Sequence, residues 1–200
     1  MLGNQQLRAA VYGAGLDWLR WRRDYEFEGE ARSLPVLQDE QRFLRFLKDY
    51  TPFKRHTSRS SHLELRDYLL ATNAIDLITA DKTGQKLQQE AEYLASHFPN
   101  LGRPVSALSK IAMFADPESF PPSDTFARIG ASLIGAKVED YPRYLEIVLD
   151  LWRGAIGKEI REILISAEDF IPTQHPGFGM RVLDHALMTI GGRSPSDLEN

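Results

Sequence analysis

The chain contains no cysteine. Disulfides, thiolate nucleophiles and zinc held by sulfur are therefore excluded, and the composition fits a protein of the cytoplasm. Long apolar runs are missing too. None approaches the roughly 20 residues that a membrane-spanning helix needs, and the first residues do not pass from charged to apolar as a secretory signal does. No membrane partner is expected. There is no P-loop, no dinucleotide-binding glycine fingerprint and no nucleophile elbow. His56 and His62 lack the partners that metal-ligand spacing requires, and the adjacent Asp184 and His185 point to different sides of a helix. Neither a metal nor another cofactor is implied. Internal repeats and low-complexity tracts are also absent.

What is present is ordinary in bulk. The 200 residues are 42% apolar and 26% charged, with a formal net charge of -4. That is the range of a folded globular protein rather than a disordered one. The length suits one domain over residues 1–200, or two small helical lobes sharing a core. A mild acidic excess counts weakly against nucleic acid, because clustering of cations matters more than their sum. One cluster stands out. Residues 51–62, TPFKRHTSRSSH, carry Lys54, Arg55 and Arg59 with two histidines and no acid. Such a segment suits phosphate contact, and equally suits a solvated surface loop.

Apolar spacing predicts helices almost throughout. Residues 5–12 and 14–25 have helical character, with Gly13 and Gly15 as breaks. Over 38–50, Phe43, Phe46, Leu47 and Tyr50 share a face, and Pro52 ends the run. Residues 61–73 form a helix through Leu63, Tyr68 and Leu70; residues 82–98 follow an Asp81 cap with Leu87, Ala91, Leu94 and Phe98 in step. The longest predicted helix is 141–167, capped by Asp140, with Pro142 in its first turn. Tyr141, Tyr144, Leu145, Val148, Trp152, Ile156, Ile160, Ile163 and Leu164 recur along one face, while Gly154 and Gly157 mark a bend or close packing. A last helix, 178–190, turns Met180, Leu183, Leu187 and Ile190 inward and closes on Gly191-Gly192. No stretch reads as a strand. The expected fold is all-α, a compact helical domain.

The stretch from Phe98 to Arg128, FPNLGRPVSALSKIAMFADPESFPPSDTFAR, organises the rest. A helix ends at Phe98, and a short Pro/Asn/Gly turn leads into a second apolar helix. A proline-rich loop follows, and a new helix opens on Ser123-Asp124-Thr125. Pattern alone gives a helical hairpin and then a carboxylate at a helix N-terminus. This arrangement resembles the helix-hairpin-helix DNA glycosylases, in particular bacterial proteins distantly similar to 8-oxoguanine glycosylases. Phe98 to Arg103 stands where that family has its apolar-Pro-Gly-apolar-Gly turn. Leu101 and Gly102 match, and Asn100 replaces a glycine, asparagine being a residue that tolerates left-handed backbone. Phe120-Pro121-Pro122-Ser123-Asp124-Thr125 matches the family's apolar/proline loop and Asp-Thr pair. Ser109-Lys110 stands where those bacterial proteins carry Ser-Lys, and residues 181–187 resemble their closing helix. The resemblance covers about 98–190; residues 1–97 carry no such motif. Taken singly, the turn is also an ordinary helix connection and Asp124 an ordinary cap.

The resemblance implies a helix-hairpin-helix glycosylase-like core, acting as a monomer on DNA. A damaged or modified base would be flipped out and its N-glycosidic bond hydrolysed. Asp124 would be the catalytic carboxylate, stabilising an oxocarbenium-like sugar and orienting or deprotonating water. Asn100, Leu101, Gly102 and Arg103 would grip a phosphate through backbone amides, a turn that holds a monovalent cation in some relatives, and Lys54, Arg55 and Arg59 would add phosphate contacts. Tyr12, Trp18 and Trp21, with Trp152, are the candidates for the base pocket, although paired tryptophans at helical spacing also serve as core. Gly13 and Gly15 would let a ligand approach the backbone or simply turn the chain. Bifunctional members place an amine nucleophile just after the turn. Pro104 stands there in this chain, and Lys110, six residues on, would serve in catalysis only if the hairpin were shifted. Otherwise Lys110 is a phosphate contact or a surface charge. The expectation is a monofunctional enzyme leaving an abasic site, in repair or in defence against phage with modified bases. The alternative is a non-catalytic helical module that binds DNA or protein.

Overall fold

Helices account for all the regular structure in the computed structural model, which describes residues 9–15, 35–50, 58–101, 104–165 and 176–192. They are α1 (residues 9–15), α2 (Pro35–Gln38), α3 (Glu40–Tyr50), α4 (Arg59–Thr72), α5 (Ala74–Ala80), α6 (Gln85–His97), a 3-10 turn (Pro99–Leu101), α7 (Val105–Ala115), α8 (Thr125–Ile134), α9 (Tyr141–Arg153), α10 (Ala155–Ile165) and α11 (Pro176–Ile190). No strand occurs among the described residues, so the chain is all-α as its spacing predicts. None of these helices is long and apolar enough to cross a membrane.

Side chains close some of the helix starts. Ser58 Oγ accepts from Ser61 N at 3.2 Å ahead of α4, and Asp140 Oδ1 accepts from Arg143 N at 2.9 Å ahead of α9, with Pro142 in the first turn. Asp81 acts differently from the cap expected of it. Its carboxylate takes the Thr83 N–H at 3.0 Å and the Lys86 N–H at 2.6 Å, so the chain turns once before α6 begins at Gln85. Gly84 occupies the cap position itself, with φ +76, and any Cβ there would also press on Tyr141 and Leu145 at 3.0 Å.

Several boundaries differ from the sequence reading. Gly13 does not break a helix: it lies inside α1, where a Cβ would meet His185 Nδ1 at 2.9 Å. The predicted 141–167 helix is two helices. Gly154 is extended between α9 and α10, and residues 166–167 of the predicted helix lie outside the described residues. The α5 helix was not anticipated. It follows Asn73, which takes a left-handed conformation (φ 49) and ends α4 without a glycine or proline to mark the place. In α4 the buried face is Leu65 and Leu69 with the half-buried Tyr68 packed beside them as expected, whereas Leu70 is 41% exposed.

Two enclosed helices centre the packing. In the first part of the chain α7 is buried from Ala107 to Met113 and meets α3, α5 and α6, which bring Phe43, Phe46, Ile75, Ile78, Leu87 and Leu94 to the core. Burying a Leu or Phe side chain contributes about 1.5–3 kcal/mol each. In the last part α11 is buried from residue 177 to 188 and packs on α8, α9 and α10. The α8–α11 contact is backbone to backbone. A Cβ on Gly130 would overlap the Leu187 carbonyl, and one on Gly191 would overlap the Phe126 carbonyl. Gly179 likewise leaves room for the Trp152 ring, which Arg161 covers at 4.8 Å. Trp152, a pocket candidate by sequence, is thus packed between an α11 glycine and a guanidinium.

Candidate functional site

Backbone bonds start the turn from α6 toward α7. Phe98 N–H reaches Leu94 O at 2.8 Å, and Leu101 N–H reaches Phe98 O at 2.9 Å. Leu101 is buried and pins the turn to the core, while Asn100 is exposed. Gly102 and Arg103, the centre of the expected phosphate grip, lie outside the described residues. Pro104 stands at the N-cap of α7.

Beyond α7 the chain runs through an ion pair of Asp116 with Lys82 and enters the segment Phe120–Ser123, which is buried throughout. Buried extended backbone needs hydrogen-bond partners, and two prolines supply no N–H. Side chains from neighbouring helices meet the requirement. Tyr141 Oη donates to Pro121 O at 3.1 Å, and Tyr144 Oη donates to Pro122 O at 2.9 Å. Ser109 Oγ accepts from Ser123 N–H at 2.9 Å while donating to Ser106 O at 3.1 Å. Burial raises the ionisation of both tyrosines well above the usual phenol range. For Tyr144 the nearby Asp184 and Asp124 carboxylates add to the effect and Arg181 opposes it. Both hydroxyls therefore stay protonated and keep donating.

Asp124 comes next, as the N-cap of α8. Its Oδ1 accepts from Ala127 N–H at 2.7 Å, and the helix dipole favours its negative charge. The carboxylate is half-buried, and Oδ2 has no hydrogen-bond partner among the described residues. Behind Tyr144, on α11, lies the buried ion pair of Arg181 and Asp184. His185, one residue on, turns the other way toward Gly13 of α1. Beside α8 there is a shallow depression of about 350 Å³ lined by Thr125, Arg128, Ile129, Ser132, Leu133 and Val138. A groove of about 500 Å³ follows the outer face of α9. Asp124 lines neither of these two.

The expected site residues divide accordingly. Ser109 and Asp124, far apart in sequence, meet at the Phe120–Ser123 segment, and Arg181 and Asp184 of the 181–187 segment lie near Tyr144, which holds it. Lys110 is not a surface charge: it is 9% exposed, within the buried run Ala107–Met113 of α7. Arg59 opens α4 and pairs with Glu40 of α3 at 2.6 Å, so the acid that its own segment lacks comes from the preceding helix. Tyr12 is 69% exposed. Lys54, Arg55, Trp18 and Trp21 lie outside the described residues. The residues missed were Tyr141 and Tyr144, read from sequence as core positions only. A signal was available: a tyrosine on a core face needs a partner for its hydroxyl, where phenylalanine would not.

No protein-family model matches the chain, and neither a curated protein nor a solved structure matches it.

Proposed function

We propose that this protein is a monofunctional DNA N-glycosylase of the helix-hairpin-helix kind, acting as a monomer on DNA in the cytoplasm. The observation that carries the reading is the setting of Asp124. A half-buried carboxylate with one oxygen committed to the helix cap and the other without a partner among the described residues stands at the end of an enclosed loop that follows a helical hairpin. The cap holds the group in place, and the second oxygen remains for chemistry. Next to an anomeric carbon, such a carboxylate stabilises the oxocarbenium-like sugar and orients the attacking water. The hairpin would hold the phosphate and the flipped base would be released, leaving an abasic site. Pro104 offers no amine for a Schiff base, so strand nicking is not part of the reaction. An oxidised or alkylated base in repair, or a modified base in phage DNA, would be the substrate.

The test is base release. Purified protein is incubated with duplexes carrying single oxidised, alkylated or deaminated bases and with phage DNA rich in modified cytosine. Free base is read by mass spectrometry and abasic sites by alkali. Release of one base with strand breakage only after alkali is the expected result; no release from any DNA would overturn the reading. A rival, the non-catalytic helical module, draws on one observation: Asp124 already has a structural task as the cap of α8. It would retain DNA or protein binding and release nothing.

A further inference from the structure

We propose that Ser109, Tyr141 and Tyr144 are positioning residues, a three-point clamp on residues 121–123 that sets where the Asp124 carboxylate stands. That role rests on the glycosylase reading of Asp124, while the clamp as a mechanical device does not.

Three consecutive residues are each held by a different side chain. Pro121 O is held by Tyr141, Pro122 O by Tyr144 and Ser123 N–H by Ser109. Ser109 comes from α7 and the tyrosines from α9, so the loop is gripped from two helices at once. Because prolines have no N–H, the two carbonyls are the only backbone groups that Pro121 and Pro122 can offer, and both are taken. Both tyrosines are fully buried, where phenylalanine would fill the same space; only the hydroxyl distinguishes the two, and each hydroxyl is spent on this loop. Tyr144 links the site further inward, since both Asp124 and the buried Asp184–Arg181 pair of α11 act on its hydroxyl. The cap bond to Ala127 fixes the carboxylate relative to α8. The clamp fixes the chain that enters α8, leaving Asp124 no freedom to swing about Ser123.

The experiment uses the full-length protein with Tyr144→Phe, Tyr141→Phe and Ser109→Ala, each removing a hydroxyl and little else. Two quantities are read. The first is kcat and KM for base release from whichever duplex of the panel above the wild-type protein turns over fastest. The second, in DNA-free protein, is exchange of the Ala127 amide, with the Arg143 amide, capped in the same way by Asp140, as internal control. Tyr144→Phe is expected to lower kcat by about 10- to 100-fold with KM within about twofold, as misplacement of a reacting group does. Ala127 exchange should rise about tenfold relative to Arg143. An unchanged Ala127 amide overturns the clamp. A kcat within twofold of wild type, in a protein where Asp124→Asn is inactive, overturns the positioning role. If the wild-type protein releases no base from any duplex, the glycosylase reading and the positioning role fall together, and the Ala127 amide alone decides the clamp. Should a tyrosine variant fail to fold, Ser109→Ala gives the same two readings with one hydroxyl removed.

Discussion

Asp124 and Asp140 begin neighbouring helices in the same way. Each takes the N–H of the residue three positions on, at 2.7 Å for Asp124 and 2.9 Å for Asp140. Their surroundings differ. The chain before Asp124 is buried over Phe120–Ser123 and held by Ser109, Tyr141 and Tyr144. The chain before Asp140 is exposed from Gly135 to Glu139 apart from the half-buried Val138, whose N–H reaches Ser132 Oγ at 3.1 Å. An ion pair of Lys137 with Glu139 lies in solvent there, whereas the pair of Arg181 with Asp184 beyond Tyr144 is sealed in the core. A cap needs one hydrogen bond and no enclosure. The enclosure of the chain entering Asp124 therefore exceeds what capping requires, and the proposed glycosylase reading of Asp124 draws on that excess.

The comparison can be tested from its largest expected effect downward. Asp124→Asn should lower base release by about 10²- to 10⁴-fold, and Asp140→Asn should leave it within about twofold. Asparagine caps helices as well as aspartate does, so both variants should melt close to wild type. Single-turnover kinetics beside thermal melting reads both. Asp184→Ala, which leaves Arg181 charged in the core, should cost about 3–5 kcal/mol in urea unfolding, while Glu139→Ala on the exposed side should stay within about 0.5 kcal/mol. Gly130→Ala should cost about 1–3 kcal/mol, because the added methyl meets the Leu187 carbonyl and pushes α8 off α11. Asp124→Ala and Asp140→Ala should each lose about 0.5–2 kcal/mol. Near-equal losses would show that the two caps are alike in strength and differ only in setting. Smallest is Ser132→Ala, which removes one half-exposed bond to Val138 and should cost under about 1 kcal/mol.

Much of this arrangement was legible in the sequence, and the illegible part has a common cause. Asp140 followed by Pro142, and Asp124 after a proline pair, announce helix starts through local chemistry. The inward faces of α3, α6, α9 and α11 follow from spacing, because helical geometry repeats within a few residues. Gly154 was marked as a bend, and the helix breaks there. Asn73 gave no comparable sign, since an asparagine carries less breaking weight than glycine, and α5 was missed with it. Arg59 sits in a segment without acid, yet its partner Glu40 is 19 residues away. Lys110 reads in the sequence as a phosphate contact or a surface charge, because the enclosure of α7 comes from helices distant in sequence. The clamp was the least visible feature: its bonds join residues 14, 20 and 22 apart. Periodicity places Tyr141 and Tyr144 in the core but says nothing about where their hydroxyls go.

The most direct test of the account is base release by Asp124→Asn beside the wild-type protein, on the best duplex of the panel, with the melting temperature and DNA affinity of both recorded. The account predicts a variant that folds, keeps its cap, binds DNA about as well and releases almost no base. A variant that releases base at the wild-type rate would show that Asp124 does no more than Asp140, and would remove the carboxylate from the reaction.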